Sequence, residues 1–342
     1  MTALSSTAPA DAPAALDRCR SLVRPALAAA VARLHPWVGE MAAYSLGWCE
    51  VGGTPAVGQG GKGGKGVRQA LAVLGAEAAG APARAGVAAA VAVELVHVFS
   101  LLHDDIMDGD EARRGRPAVW KAYGTGPAVL AGDALFALAV ETLAEQPGGA
   151  HAVRTLSAAL SDLVRGQADD LLFAARPWTG PERVTPDEYR AMAEHKTGAL
   201  LGCSAALGAV LGGTDPGTAA ALDRAGRHLG VAFQIVDDVL GIWGDPAVTG
   251  KPVHGDLRER KKTLPVLVAL GTPAAGQLAR LLDTDPQAAA ELIERAGGRS
   301  AALDEARRHL AAVESALAGV PLRTTAVDEL RSLLAFLVSR EL

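Results

Sequence analysis

Aromatic residues, cysteines and surplus positive charge are all scarce in this sequence. Aromatics make up 4% of the 342 residues, and the three cysteines stand far apart. They form neither a disulfide framework nor the paired spacing of a zinc site, which suits a reducing cytosol. The formal net charge of −5 argues against a nucleic acid as partner.

Long uninterrupted apolar runs are also lacking. We find no stretch of the ~18 consecutive apolar residues that a membrane helix needs. Residues 1–15 have neither the basic start nor the apolar core of a signal peptide, so we expect a cytoplasmic protein without a membrane span. Their Ala, Pro, Ser and Thr content predicts a disordered tail. An address or docking tag, with a partner of its own, is the alternative for this segment.

Hydrophobic residues, by contrast, are plentiful. They make up 49% of the sequence, and Ala and Leu dominate, which favours helices. Neither a strand pattern in quantity nor an internal repeat is found. We predict an all-α fold in which residues 16–342 form a single domain, an antiparallel helix bundle around a central cavity, with sites built from facing side chains.

One apolar helical segment ends in a run of carboxylates. Asp104 and Asp108 are four residues apart and lie on one helix face, with Asp105 beside it. Like charges at this spacing repel, so a cation is needed, and Mg²⁺ suits a few hard oxygen ligands plus substrate phosphates. Arg113 and Arg114 follow and can hold a phosphate bidentately. This pattern predicts a diphosphate site; a solvated acidic helix end is the alternative.

A second acidic pair, Asp237 and Asp238, follows another apolar helical run, 219–236. Aspartates within apolar helices are costly to bury unless they are paired or bind a metal. Two such pairs predict two helices that face each other across a cavity containing Mg²⁺. We therefore expect metal ligands at Asp104, Asp105, Asp108, Asp237 and Asp238.

In this order, the motifs resemble those of the trans-isoprenyl diphosphate synthases, the polyprenyl synthetase family, over residues 64–265. Residues 103–117, HDDIMDGDEARRGRP, resemble the first aspartate-rich motif, and 237–265 the second. The pattern is similar to the bacterial short-chain branch. The resemblance implies an isoprenoid synthase fold, Mg²⁺ as cofactor, a homodimer, and condensation of isopentenyl diphosphate with an allylic diphosphate.

A glycine-rich, doubly basic stretch, 57–68, precedes a helix. Glycines let backbone N–H groups approach an anion at a helix N-terminus, but the Walker pattern fails because Gly66 follows Lys65. Alone, the stretch is more typical of a flexible linker. It resembles the family motif G-K-x-x-R-P, which implies Lys65 and Arg68 as ligands of isopentenyl diphosphate. Lys62 gives a competing register, and Gln69 stands where the family usually has Pro.

The resemblance implies the remaining site residues as well. Isopentenyl diphosphate is expected at Lys65, Arg68, His97 and Arg114, although a lone histidine such as His97 is often a core residue. The allylic diphosphate is expected at Arg113, Lys196, Thr197, Gln234, Lys251 and Lys261. The catalytic residues are expected to be Asp104, Asp108, Lys196, Asp237 and Lys251. Asp170 matches the family motif G-Q-x-x-D-L, whereas the extra Asp169 is expected to face solvent.

The second motif departs from the family pattern at one position. The family usually reads D-D-x-x-D, and here the fifth position is Gly241. Asp245, four residues further on, is not expected to replace the missing carboxylate. We expect this departure to affect metal affinity more than the type of reaction, because Asp237 is best placed to bind metal.

Phe99 and Ser100 are the candidate determinants of product length. At ~1.5 Å of rise per residue, Phe99 lies about 7–8 Å further down the helix than Asp104. In the family, bulky residues at both positions are typical of fifteen-carbon products. An aromatic residue followed by a small one resembles the geranylgeranyl type. We predict geranylgeranyl diphosphate (C20), with farnesyl diphosphate (C15) as the alternative.

Two further functions are open at this point. A class I terpene cyclase shares the fold but needs no isopentenyl diphosphate site, so Lys65, Arg68 and Arg114 count against it. It also usually has an N-S-E type second motif, which is absent here. A non-catalytic member, either a regulatory subunit or a cargo protein packed into a shell by its tail, is opposed by the intact first motif.

Overall fold

The computed structural model describes residues 11–56, 66–245 and 253–338. It is 77% helical, which confirms the predicted all-α class. In chain order the helices of the described residues are α1 (Asp11–Val31), α2 (Pro36–Ser45), α3 (Val67–Ala78), α4 (Val87–Asp108), α5 (Val119–Tyr123), α6 (Thr125–Ala144), α7 (Gly149–Ala175), α8 (Pro186–Ala193), α9 (Ala199–Leu211), α10 (Pro216–Trp243), α11 (Gly255–Arg258), α12 (Leu264–Leu270), α13 (Ala275–Thr284), α14 (Pro286–Arg295), α15 (Gly298–Ala318) and α16 (Thr324–Val338). A 3₁₀ turn (Ala83–Gly86) leads into α4, and a π turn (Glu194–Gly198) joins α8 to α9.

The chain divides into two compact units, each assembled from three stretches of sequence. The first unit holds the residues up to Ser157, together with Cys203–Leu222 and Val320–Leu333. The second holds Ala158–Gly202, Asp223–Gly319 and the residues from Leu334 on. The first acidic motif therefore belongs to the first unit and the second acidic motif to the second.

Helix α1 begins earlier than the sequence predicted. It starts at Asp11, inside the segment 1–15 that we predicted to be a disordered tail. Ala12, Ala15 and Leu16 are at most 5% exposed. Alanine has the highest helix propensity, and its small side chain allows close packing against the rest of the unit. The predicted boundary at residue 15 is therefore wrong. Residues 1–10 lie outside the described part of the chain.

The core of the first unit is built around α4, which packs against α3 and α6. Helices 83–108 and 125–144 are long and apolar enough to cross a membrane by length and composition alone. In the first of these helices, 61% of the most apolar 18-residue stretch is buried inside the protein, as expected of a core helix. Glu94 and His97 interrupt its apolar sequence.

The core of the second unit holds the segment that follows the second acidic motif. Trp178, Ile242, Leu257 and Val266 belong to one buried cluster. The Nζ atom of Lys262 lies 3.3 Å from the centroid of the Trp178 ring, a cation–π contact. Burial lowers the pKa of Lys262 to about 8. This core fixes the turn between α11 and α12, and with it the residues beside the motif.

Candidate functional site

The first acidic motif lies at the carboxyl end of α4, which runs unbroken to Asp108 and is capped by Gly109 with φ of 71°. Because the helix is continuous, Asp104 and Asp108 lie one turn apart on one face, as predicted. Asp104 is half-buried and Asp108 is exposed. Asp105 is 2% exposed, so the three carboxylates are not equivalent.

Asp105 is held by an arginine from the segment that follows the helix. Its Oδ1 atom accepts bonds from Arg113 Nε at 2.6 Å and from Arg113 Nη2 at 2.5 Å. Burial raises the pKa of Asp105, although the bonds to Arg113 counteract this. Burial also opposes the charged form of Arg113, but the same bonds outweigh it and leave its pKa raised. The predicted metal ligand Asp105 and the predicted phosphate ligand Arg113 are thus brought together as an ion pair.

A short hairpin presents the arginines. Strands β1 (Ala112–Arg113) and β2 (Arg116–Pro117) are antiparallel, with Arg113 opposite Arg116. The turn residues Arg114 and Gly115 have φ of 54° and 75°, as a two-residue type I′ turn requires. Sequence reasoning missed this hairpin, although Gly at the second position of a two-residue loop is a usable signal.

Arg116 was also missed, and it anchors the hairpin. Its guanidinium lies 4.0 Å from the Tyr44 ring centroid and donates to the Cys49 carbonyl oxygen at 2.7 Å. A cavity of about 130 Å³ lies beside the hairpin; its lining includes Asp105, Arg113, Arg114, Arg116 and Tyr44. The cavity wall carries three guanidinium groups and two carboxylates, those of Asp105 and Glu50, so its charge is positive on balance and suits an anion.

Three of the four residues predicted to bind isopentenyl diphosphate interact electrostatically in the first unit. Burial, followed by the charges of Arg68 and Arg114, keeps the pKa of His97 well below its usual value. Burial lowers the pKa of Arg68 to about 10. Within the described residues the buried Nε atom of Arg68 has no hydrogen-bond partner. Lys65, the fourth residue, lies outside the described part of the chain.

Lys196 and Thr197 lie in the π turn of the second unit. Such turns occur often at functional sites. The Nζ atom of Lys196 lies 2.5 Å from Oδ2 of Asp170, so the structure brings together two residues of separate family motifs. Thr197 Oγ1 donates to Gln234 Oε1 at 2.8 Å, which places two predicted allylic-diphosphate ligands in contact.

The second acidic motif has one exposed and one buried carboxylate. Asp237 is exposed, whereas Asp238 is 5% exposed. Asp238 accepts hydrogen bonds from Tyr189 Oη at 2.6 Å, from Gln234 Nε2 at 3.0 Å and from the Leu264 backbone N at 3.2 Å. Burial and the neighbouring Asp256 raise the pKa of Asp238 to about 7, against the effect of these donors. Tyr189 was missed by sequence reasoning and carries no motif signal.

The structure explains why glycine, rather than the aspartate usual in the family, stands at position 241. A Cβ atom placed at Gly241 would lie 2.0 Å from Asp256 Oδ2, so the Asp256 carboxylate fills the space where a third aspartate side chain would begin. Asp256 is 5% exposed, and Lys261 Nζ lies 3.8 Å from its Oδ1 atom. The predicted ligand Lys261 is therefore located beside the second motif. Lys251 lies outside the described residues.

Phe99 and Ser100 face different ways on α4. Ser100 is one turn before Asp104, on the same face, and its Oγ donates to the His97 carbonyl oxygen at 2.9 Å. The Phe99 ring packs edge-on against His103, with centroids 4.8 Å apart, and against Phe136 of α6 at 5.8 Å. Phe99 is therefore part of an aromatic cluster between α4 and α6.

The carboxylates of the two acidic motifs suit a magnesium ion that is bound partly by the protein and partly by the phosphates of its substrates. Among the described residues, no group of three His, Cys, Asp or Glu side chains could hold a metal by itself. Mg²⁺ in phosphate-transferring sites typically takes one or two carboxylates, with phosphates and waters completing its shell. Asp104 and Asp108 in the first unit, and Asp237 in the second, offer hard oxygen atoms of this kind.

The helical fold and the two aspartate-rich motifs define a class of protein. The chain belongs to the polyprenyl synthetase family, whose model matches residues 58–296. A polyprenyl synthetase from Streptomyces coelicolor A3(2) superposes with a TM-score of 0.88 at 47% identity, over 96% of this chain and 100% of that one. A geranylgeranyl pyrophosphate synthetase from Pyrococcus horikoshii Ot3 gives a TM-score of 0.83 at 33% identity, over 96% and 99% of the two chains.

Two curated relatives come from Mycobacterium tuberculosis strain H37Rv. A (2E,6E)-farnesyl diphosphate synthase is 45% identical over 340 residues, covering 95% of this chain and 92% of the relative. A geranylgeranyl diphosphate synthase is 45% identical over 300 residues, covering 86% and 83%. The protein is a trans-prenyltransferase with an isoprenoid synthase fold, as the sequence predicted. Equal identity to both relatives does not distinguish the two product lengths.

Proposed function

We propose that this protein joins isopentenyl diphosphate head-to-tail to an allylic diphosphate, in a Mg²⁺-dependent reaction whose product is geranylgeranyl diphosphate. The observation that carries the proposal is the pair of guanidinium groups of Arg68 and Arg114, whose charges both act on the buried His97 in the first unit. A terpene cyclase has no second diphosphate to bind and no use for this pair.

The reaction begins when the allylic carbon–oxygen bond breaks and leaves an allylic cation and diphosphate. The carboxylates proposed to hold Mg²⁺ are those of Asp104 and Asp108 in the first unit and of Asp237 in the second, and bound metal would supply Lewis-acid stabilisation of the leaving group. The cationic side chains proposed to neutralise the developing charge are Arg113, Lys196 and Lys251, with Thr197, Gln234 and Lys261 contacting the same diphosphate.

Isopentenyl diphosphate is the nucleophile of the second step. Lys65, Arg68, His97 and Arg114 hold its diphosphate. Its double bond attacks the cation, a new carbon–carbon bond forms, and a proton is lost. The departing diphosphate accepts that proton, and the longer allylic diphosphate remains. Exclusion of water by the apolar helices protects the cation.

The twenty-carbon product is proposed from the residues that precede Asp104. The growing chain runs towards the amino end of α4, and Phe99 forms the floor of its cavity. His103 and Phe136 contact the Phe99 ring and so restrict its rotation. Ser100, on the Asp104 face, is too small to shorten the cavity. Farnesyl diphosphate, the product named for one relative at 45% identity, is the second candidate.

A homodimer and a cytoplasmic location complete the proposal. Val129, Leu130 and Phe136 of α6 are 38–50% exposed, and apolar residues on an exposed helix face suit a subunit interface. We expect light scattering at micromolar concentration to give the mass of a dimer. A monomeric mass would contradict this part of the proposal.

Product analysis tests the function. The purified protein is supplied with Mg²⁺, isopentenyl diphosphate and, in turn, dimethylallyl, geranyl or farnesyl diphosphate. The products are dephosphorylated and separated by chromatography. We expect a twenty-carbon alcohol as the longest main product from every starter that is used. A fifteen-carbon main product would overturn the length, and no condensation with any starter would overturn the function.

A further inference from the structure

Arg114 stands at the tip of the hairpin in a backbone conformation that arginine rarely adopts. Its φ of 54° is left-handed, which is unfavourable for a residue with a Cβ atom, and the residue is exposed. Such a conformation persists only where the surrounding structure fixes it. The contacts of the two strands on either side of the turn therefore decide where the Arg114 guanidinium points.

The first strand is fixed to α4. Arg113 donates to Asp105 from Nε at 2.6 Å and from Nη2 at 2.5 Å. The Asp105 carboxylate is buried and belongs to the helix around which the core of the first unit is built. The strand that precedes the turn thus has an anchor of its own.

The second strand is fixed to α2 and to the segment after it by Arg116. The Nη1 atom donates to the Tyr44 carbonyl oxygen at 3.2 Å. The Nη2 atom donates to the Cys49 carbonyl oxygen at 2.7 Å and to Glu50 Oε2 at 2.9 Å. The guanidinium carbon also lies 4.0 Å from the centroid of the Tyr44 ring, a cation–π contact. With these partners Arg116 holds the strand to the protein rather than a phosphate.

Tyr44 holds the same strand by a second route. Its hydroxyl donates to the Pro117 carbonyl oxygen at 2.9 Å, and the residue is only 5% exposed. The Tyr123 ring packs edge-on against the Tyr44 ring, with centroids 5.5 Å apart. Because the ring is buried and contacts both Tyr123 and Arg116, it has little freedom to move. The second strand is therefore held against a rigid side chain.

The segment that accepts hydrogen bonds from Arg116 is itself fixed. Within it, the Glu50 backbone N donates to the Thr54 carbonyl oxygen at 2.8 Å. Glu40 of α2 ties this segment to α5, since its Oε1 atom accepts from the Gly52 backbone N at 2.7 Å and from Tyr123 Oη at 2.9 Å. The anchor of the second strand thus rests on two helices, α2 and α5.

We propose that Arg116 and Tyr44 are positioning residues that direct the Arg114 guanidinium to the diphosphate of isopentenyl diphosphate. The inference rests on the proposed function, in which Arg114 binds that diphosphate, and adds two residues to it. Arg113 has its own anchor at Asp105, so loosening the second strand disturbs Arg114 more than Arg113. Binding of isopentenyl diphosphate should therefore weaken, and binding of the allylic diphosphate should not.

Two conservative variants loosen the second strand without removing a charge. Arg116→Lys keeps the positive charge, but an ammonium group cannot reproduce the planar fork of the guanidinium or its stacking. Tyr44→Phe keeps the ring and removes only the hydroxyl donor. Arg33→Lys is the matched control, since Arg33 pairs with Glu141 and Glu145 at the carboxyl end of α6.

The measurement is calorimetric titration of isopentenyl diphosphate into the purified protein without allylic substrate, together with the KM for each substrate. Urea unfolding checks that each variant is folded. We expect the dissociation constant for isopentenyl diphosphate to rise roughly three- to tenfold in Arg116→Lys and about two- to fivefold in Tyr44→Phe, as for one weakened hydrogen bond. The KM for the allylic diphosphate and all values for Arg33→Lys should not change.

A background without the Arg114 guanidinium separates positioning from other effects. Arg114→Ala should itself weaken binding of isopentenyl diphosphate. Adding Arg116→Lys to Arg114→Ala should then cause no further loss, because residues that act through one another are not additive. If Arg116 contacted the diphosphate itself, or if Arg116→Lys merely loosened the fold, affinity would fall by the same factor in both backgrounds.

Several results would overturn the inference. Unchanged binding of isopentenyl diphosphate in Arg116→Lys would do so, as would an equal loss for both substrates or an equal loss in both backgrounds. If Arg116→Lys does not fold, Tyr44→Phe decides, and unchanged binding in that variant counts against the proposal. If Arg114→Ala binds normally, the assignment of Arg114 fails and this inference with it. A protein that condenses both substrates while only the Arg116 and Tyr44 predictions fail leaves the proposed function intact.

Discussion

Asp105 and Asp238 hold the same place in their motifs but are compensated differently. Asp105 is bonded by the charged Arg113, whereas Asp238 is bonded by neutral donors and lies near the charge of Asp256. In both motifs the buried aspartate accepts bonds from another segment of the chain, and its neighbour reaches solvent. An acidic pair therefore need not supply two equivalent metal ligands.

The largest expected effect concerns the aspartates that reach solvent. Asp104→Ala and Asp237→Ala should each lower kcat about 100- to 1000-fold, the range found when one group that stabilises developing charge is removed. Asp169 is half-buried and next to Asp170 in the sequence. Asp169→Ala is the control and should change kcat little. The measurement is diphosphate release in saturating Mg²⁺. Full turnover by Asp104→Ala would contradict the catalytic role of the aspartates that reach solvent.

The buried aspartates should affect stability instead. Asp105→Asn and Asp238→Asn should each lower the free energy of unfolding by about 1–3 kcal/mol, because the first removes the negative charge that pairs with Arg113 and the second removes one of the two oxygens that accept buried hydrogen bonds. Asp104→Asn and Asp237→Asn should change it by no more than about 0.5 kcal/mol, as is usual for surface positions. Urea unfolding gives the four values. Equal changes at buried and solvent-reaching positions would contradict the comparison.

The two motifs also differ at their fifth position, where the first has Asp108 and the second has Gly241. Restoring the family residue with Gly241→Asp should destabilise the protein by about 1–3 kcal/mol through overpacking against Asp256. Combining it with Asp256→Ala should recover much of that loss. The double-mutant cycle is read by urea unfolding. Additive losses in the double variant would show that Asp256 does not occupy the space.

The smallest change concerns product length. Phe99→Ala should lengthen the product by at least one isoprene unit, since it removes the proposed floor, and Ser100→Phe should shorten it. Val98→Ala removes bulk from another face of the same helix and serves as the control. Chromatography of dephosphorylated products checks all three. An unchanged distribution in both Phe99→Ala and Ser100→Phe would remove the basis of the twenty-carbon prediction.

Much of the fold could be predicted because its signals are local. Apolar helical runs and the four-residue spacing of Asp104 and Asp108 depend only on helix geometry. The start of α1 was misplaced because Ala-rich composition serves both tails and helices. The bonds of Asp105 to Arg113 and of Tyr189 to Asp238 join residues that no short pattern connects. Asp256 lies within a motif that the sequence reveals. That its carboxylate occupies the space beside Gly241 depends on three-dimensional packing, which no sequence pattern encodes.

The most direct test of the account is diphosphate release from geranyl or farnesyl diphosphate, with and without isopentenyl diphosphate, at saturating Mg²⁺. Condensation needs a nucleophile to trap the allylic cation and a site to hold it. We therefore predict release only when both substrates are present, with one diphosphate released for each isoprene unit added. Release at the full rate from the allylic substrate alone would indicate a cyclase, and no release under either condition would indicate a non-catalytic protein; either result would contradict the account.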